Sequence, residues 1–205
     1  MSVADKPADG ELYRGFLDGD TTAYDQLMIR YGDSLTMYLF GYMHDWQDAE
    51  DLMIDAFVWI MVKRPSIRDN AFKAYLFRTA RSLTNSFLRK KHRRAVFSID
   101  GMEKEIAENI LTFGVSDDKG SNAVSNSVED DLQTEERKKI LYLCLERIEP
   151  EPREALWLVY MEGMSYAEAA KIIGVRVKRV DRLLARGKQQ MRKELKKEGV
   201  TNAYK

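Results

Sequence analysis

Histidine, cysteine and proline are scarce in this chain of 205 residues, which has two His, one Cys and four Pro. The lone Cys144 has no partner for an internal disulfide, so nothing points to an oxidising compartment. His44 and His92 lie far apart and lack Cys or carboxylate neighbours at ligand spacing, which excludes a histidine-based zinc site and a histidine acid–base pair. No apolar run reaches the roughly 18 residues that a membrane-spanning helix needs. No N-terminal stretch joins a basic start to an apolar segment of signal-peptide type. The chain therefore reads as soluble and cytoplasmic, without membrane insertion. Alternating β-branched runs and Asn-Gly hairpin signals are missing too, which argues against a sheet and leaves an all-α protein.

Net charge is also absent, because 33 Lys and Arg balance 33 Asp and Glu, but this balance hides a strong partition. Residues 1–62 carry 3 basic and 12 acidic groups, residues 63–94 carry 11 and 1, residues 95–162 carry 7 and 16, and residues 171–197 carry 11 and 2. Blocks of one sign repel themselves and mark surfaces that a partner or solvent compensates, so two basic blocks suggest a polyanion touched twice.

Helical periodicity organises most of the chain. Residues 1–10 read as a loose arm. Leu12, Phe16 and Leu17 share a face in a short helix ended by Gly19, and Thr21 or Thr22 is placed to cap the next. Tyr24, Leu27, Met28, Tyr31, Leu35, Tyr38, Leu39 and Tyr42 then form one buried stripe. In "HDWQDAEDLMIDAFVWIMVKRP", His44 and Asp45 make a break, Asp48, Glu50 and Asp51 fill a first turn that favours anions, and Pro65 stops the run. Its apolar face is Leu52, Ala56, Phe57 and Ile60. A further helix from about Ala71 to Lys91 interleaves Phe72, Tyr75 and Phe77 with Lys73, Arg78 and Arg81, a composition able to stack unpaired bases and hold their backbone. Core packing is the favoured reading for Phe72, Leu76 and Phe87. Residues 96–131, rich in Ser, Asn, Asp and Gly, read as a flexible acidic linker, and helical pattern resumes at about Leu132. The expected organisation is two small helical domains, 11–95 and 132–197, with a tail at 198–205.

Within "MSYAEAAKIIGVRVKRVDRLLARGKQQM", Ser165 and Glu168 make a capping box, Gly174 ends the helix in a left-handed residue, and a second helix starts near Val177. Short helix, glycine turn and longer helix are the arithmetic of a helix-turn-helix. Arg176, Lys178, Arg179, Arg182, Arg186 and Lys188 point outward from the buried Val180, Leu183 and Leu184, suited to phosphates and guanine edges in a major groove.

These residues resemble the extracytoplasmic-function group of sigma-70-type sigma factors, the promoter-recognition subunits of bacterial RNA polymerase. "DAEDLMIDAFVWIM" is similar to the region that grips the polymerase, "AFKAYLFRTARSLTNSFLRKKHRR" to the promoter-melting region, and "REALWLVYMEGMSYAEAAKIIGVRVKRVDRLLARGKQQMRKEL" to the upstream-element domain. The resemblance implies that Asp48, Glu50, Asp51 and Asp55 bind the core polymerase. It implies that the loop from Ser66 to Phe72, with Arg68 and Asn70, captures a flipped base of the minus-ten element, and that Lys73, Arg78, Arg81, Ser82, Asn85 and Arg89 adjoin it. It places Arg176, Lys178, Arg179, Arg182 and Arg186 on the minus-thirty-five element. The partners it implies are core polymerase, promoter DNA and an anti-sigma factor that holds the protein inactive; no cofactor is expected, no catalysis, and a monomer when free. Ser82 stands where many members carry asparagine, and Asp181, Arg182 and Leu183 where they carry lysine, serine and arginine, so the promoter preference is expected to differ from the common type. A polymerase-independent repressor and a nucleic-acid enzyme are the competing readings. The first leaves the N-terminal basic block without a use, and the second lacks both histidine chemistry and the alternating oxygen ligands of a calcium loop.

Overall fold

A computed structural model describes residues 7–99 and 128–200, with side chains described for 7–93 and 137–200. All described secondary structure is helical. The N-terminal half contains α1 (Asp9–Leu17), α2 (Thr21–Met43), α3 (Trp46–Lys63) and α4 (Phe72–Ile99). The C-terminal half contains α5 (Val128–Glu146), α6 (Pro150–Leu156), a π-helical turn (Trp157–Met161), α7 (Tyr166–Ile173) and α8 (Val177–Lys197). Residues 100–127, which hold most of the expected linker and the Ile106 to Phe113 turn, lie outside the described residues.

Each boundary has a local cause. The cap of α2 is Asp20 rather than Thr21 or Thr22: its carboxylate accepts from the Thr22 and Ala23 amides at 2.9 and 3.4 Å and from the Thr22 hydroxyl at 2.6 Å. An ionised acceptor outcompetes a hydroxyl, and the threonine becomes its donor. His44 ends α2 in the left-handed region, at φ 51°, and Asp45 restarts the chain by accepting from the Asp48 amide at 2.9 Å. Arg64, also left-handed, ends α3 just before Pro65. Two helices are longer than expected. α4 runs on to Ile99 because no Gly or Pro interrupts residues 92–99, and α5 begins at Val128.

The N-terminal core is an aromatic stack. Phe16 and Tyr24 rings lie 4.5 Å apart, Tyr24 meets Phe57 edge-on at 5.8 Å, and Phe72 sits between Tyr13 at 5.4 Å and Tyr31 at 6.2 Å. Buried phenols find acceptors: Tyr24 donates to the Phe57 carbonyl at 2.5 Å, and Tyr13 to the Pro65 carbonyl at 2.8 Å, tying the α3–α4 loop to α1. The C-terminal core gathers Leu145, Ile148, Leu156, Leu158, Ile172, Ile173, Val180, Leu183 and Leu184. The two halves are packed together, α4 on α7 and α2 on α6, so that buried side chains form one continuous cluster across them.

Gly187 sets how closely α8 approaches α6. A Cβ there would lie 2.9 Å from the Leu156 side chain and 3.1 Å from the Pro152 carbonyl oxygen, and backbone cannot yield as a side chain can. Gly187→Ala is expected to lower unfolding stability by about 1–3 kcal/mol, read by urea denaturation; an unchanged midpoint would show that the helices separate freely.

Candidate nucleic-acid interface

The helix-turn-helix is built as its sequence suggests. Ser165 Oγ accepts from the Glu168 amide at 3.3 Å and the Glu168 carboxylate accepts from the Ser165 amide at 2.9 Å, closing the capping box of α7. Gly174 ends α7 at φ 77°, and Ala169, Ala170, Ile172 and Ile173 are buried. α8 starts at Val177 with Arg176 as its N-cap residue. Arg176, Lys178 and Arg182 are exposed and make no ion pair among the described residues. Arg179 and Arg186 lie seven positions apart, two turns along one side of α8 with Arg182 between them. There Arg179 donates to Glu151 at 2.7 Å and Arg186 to Glu149 at 2.7 Å, both carboxylates at the start of α6. Asp181 is exposed beside Arg182.

The basic block at residues 63–94 divides in three. Arg68, Asn70, Arg78, Ser82, Asn85 and Arg89 are exposed; Asn70 is left-handed at φ 62°, and the Ala71 amide bonds the Arg68 carbonyl at 3.0 Å, so the loop turns tightly into α4. Phe72 belongs to the core at 1% exposure, and Phe77 is buried against Tyr38 at 5.2 Å. Neither ring offers a face to a base here: Phe72 packs in the core, the reading its spacing favours, and the burial of Phe77 corrects the expectation that it stacks bases. Lys73 and Arg81 point at the C-terminal half. Lys73 Nζ lies 2.8 Å from the Glu162 carboxylate, and Arg81 donates to both Glu154 oxygens at 2.6 and 3.3 Å. Burial would lower the Arg81 pKa, but hydrogen bonding and the charge of Glu154 outweigh it and raise it above its ordinary value.

The acidic helix α3 presents Asp51 and Asp55 to solvent, while Asp48 pairs with Lys91 of α4 at 2.9 Å and Glu50 accepts from the Trp46 indole at 2.7 Å. Beside them lie Ile54, Val58, Met61 and Val62, exposed on one face at spacings of four, three and one, with Val62 at 67% exposure. Sequence reading missed this apolar strip, since α3 is apolar nearly all round from Leu52 to Val62 and its buried stripe absorbed the signal. An exposed apolar strip rimmed by carboxylates marks a protein-docking face. Among the described residues no group of His, Cys, Asp and Glu could hold a metal ion. His44 is an exposed helix end, His92 is exposed, and Cys144 is fully buried.

A helix-turn-helix with unpaired cations, joined to a second helical unit bearing a cationic helix and an apolar–acidic docking face, defines a DNA-binding protein of the transcription machinery. Two family models match in order, "Sigma-70 region 2" over residues 27–94 and "Sigma-70, region 4" over residues 138–191. The chain is 27% identical over 173 residues to the ECF RNA polymerase sigma-E factor of Escherichia coli, covering 83% of this chain and 85% of that one. It is 25% identical over 190 residues to the RNA polymerase sigma-H factor of Pseudomonas aeruginosa, covering 91% and 93%. Its fold is shared with the sigma factor RpoE of Bartonella quintana, solved with the anti-sigma factor NepR, at TM-score 0.60, 21% identity and coverage of 86% and 98%. CnrH, solved with the cytosolic domain of CnrY, matches at TM-score 0.59, 20% identity and coverage of 94% and 99%. The chain belongs to the sigma-70 family, in its extracytoplasmic-function group.

The cap of α7 makes a pH-dependent contribution that can be isolated. The Ser165 hydroxyl and amide hold the Glu168 carboxyl below its ordinary pKa of 4.5. A group whose folded pKa is lowered stabilises above its unfolded pKa and loses that stabilisation as pH falls through the folded value. Ser165→Ala is expected to lower stability by about 1 kcal/mol at neutral pH. The stability difference between wild type and Glu168→Gln should shrink as pH falls below 4.5; a difference constant down to acid pH would show that the carboxylate's charge contributes nothing.

Proposed function

We propose that this chain binds core RNA polymerase, directs it to a set of promoters, and helps open the DNA there, as a non-catalytic cytoplasmic subunit restrained by an anti-sigma factor. The supporting observation is the combination of the region 2 and region 4 matches with an exposed apolar–acidic α3 face and three exposed cations at the start of α8. In this reading residues 11–95 and 132–197 are the working domains. Asp48, Glu50, Asp51 and Asp55, with Ile54, Val58, Met61 and Val62, form the polymerase face. Arg68, Asn70, Lys73, Arg78, Arg81, Ser82, Asn85 and Arg89 serve the minus-ten segment. Phe72 supports that site from the core. Flipping a base costs a few kcal/mol, which the loop pocket and phosphate contacts must offset. Arg176, Lys178 and Arg182 are free to read the minus-thirty-five element, and Asp181 is placed to accept from a cytosine amino group or to repel a phosphate. Arg179 and Arg186 join them once released from Glu151 and Glu149. The structure of Bartonella quintana RpoE bound to the anti-sigma factor NepR supports the regulatory part of the reading.

Reversing charge at Asp48, Glu50 and Asp51 is expected to abolish stoichiometric co-elution with bacterial core polymerase while leaving the circular dichroism spectrum intact. A chain that ignores core polymerase but binds duplex DNA as a dimer at a palindrome would instead be a repressor.

Glu149 and Glu151 are expected to restrain DNA binding rather than the fold. Replacing both with Ala should change stability by less than about 1 kcal/mol. Holoenzyme binding to promoter fragments should then depend more steeply on salt, by about 0.9 in log–log slope for each arginine that reaches a phosphate. An unchanged slope would place Arg179 and Arg186 off the DNA.

A further inference from the structure

The contact between the two halves is chemically specific. Glu154 and Glu162, both from the acidic block, are 4% and 9% exposed, and almost everything they bond to comes from one place. Glu154 accepts from Tyr38 at 2.8 Å and from Arg81 at 2.6 and 3.3 Å. Glu162 accepts from Ser34 and, at 3.1 Å, from the Trp157 indole, and pairs with Lys73 at 2.8 Å; its carbonyl accepts from Lys73 at 2.5 Å. In the other direction Arg153 donates to the Gly41 carbonyl. The π-helical turn puts Glu162 in register: its amide bonds the Trp157 carbonyl at 3.0 Å, five residues back. One residue fewer would swing Glu162 by about 100° around the helix axis and off Lys73.

Burying two carboxylates is expensive unless each is paired and hydrogen-bonded, and here both are. Lys73 and Arg81 are also two of the cations assigned above to the minus-ten strand. We propose that Glu154 and Glu162 act as built-in counter-ions that take the place of DNA phosphates on α4, so that the free chain masks its own minus-ten surface until the two halves part. The mask rests on the sigma reading for its purpose but not for its existence. It predicts that nucleic acid and the C-terminal carboxylates compete for the same two side chains, which lowers the apparent affinity by the fraction of molecules that are closed.

The test uses the full-length chain without polymerase. Fluorescence anisotropy reports binding of a labelled, A/T-rich single strand of about 20 nucleotides, long enough for several phosphate contacts. Spin labels at Ile29→Cys and Ala185→Cys report the separation of the halves, since native Cys144 is fully buried. E154Q/E162Q is compared with D18N/D25N, which removes the same charge from exposed sites. The expected result is a longer inter-label distance and an affinity gain of roughly tenfold or more for the first pair only. S34A/Y38F removes donors without touching either carboxylate or either cation, and should move both readouts the same way, which keeps the test valid if the first variant folds poorly. Unchanged distance and affinity in both variants would overturn the proposal, as would opening with no gain in affinity, or an equal gain in D18N/D25N. Co-elution with core polymerase is scored separately and decides the sigma reading alone.

Discussion

Glu154 is the hinge of the whole arrangement. An ionised carboxylate taken out of water is penalised by several kcal/mol unless its lone pairs are met. In this chain they are met by the Tyr38 hydroxyl and the Arg81 guanidinium, both from the other half of the molecule. Burial, followed by the charges of Tyr42 and Glu154, pushes the Tyr38 hydroxyl well above its ordinary pKa, so it remains a donor at any physiological pH. The α2–α6 and α4–α7 contacts form around this point, and with them the continuous apolar cluster. Without those donors a buried Glu154 would be an uncompensated charge, and the two helical units would have reason to separate.

Separation matters because, in the proposed reading, the same side chains are wanted twice. Arg81 and Lys73 are cations on a helix that also carries Arg78 and Arg89, both exposed at its surface. α8 repeats the arrangement on a smaller scale, with Arg179 and Arg186 held by exposed carboxylates while Lys178 and Arg182 make no ion pair among the described residues. The difference lies in burial. The α8 pairs are about half exposed and yield easily to a competing phosphate. The Glu154 and Glu162 pairs yield only when an interface opens, which makes them a switch and the α8 pairs a trim.

Much of this was legible along the chain because it is local. Ser165, Glu168 and Gly174 state where α7 begins and ends, and the stripe from Tyr24 to Tyr42 states which side of α2 is buried. Asp20 is hidden as a cap by the two threonines that follow it, although a carboxylate is the stronger acceptor. The contacts between halves were not legible. Glu154 and Arg81 are 73 residues apart, and Ser34 and Glu162 are 128 apart; in a block with 16 acids two buried carboxylates look like the solvated rest. Nor does periodicity reveal the π-helical turn, because one added residue shifts the phase of everything after it without changing composition.

α3 shows why an interface on a helix can be invisible while its core face is plain. A helix with one apolar stripe announces which side is inside; a helix apolar nearly all round announces only that it is buried. In α3 the stripe Leu52, Ala56, Phe57 and Ile60 is satisfied by α2 and α4, which leaves Ile54, Val58, Met61 and Val62 exposed among the described residues. Such a surplus is unfavourable for an isolated protein, whose exposed apolar residues are usually scattered rather than contiguous. The surrounding carboxylates keep the strip soluble and at the same time restrict its partner to a surface that is apolar at its centre and basic at its rim. The proposed polymerase face is therefore written in the residues that the fold of α3 does not need, and the acidic residues decide which partner uses them.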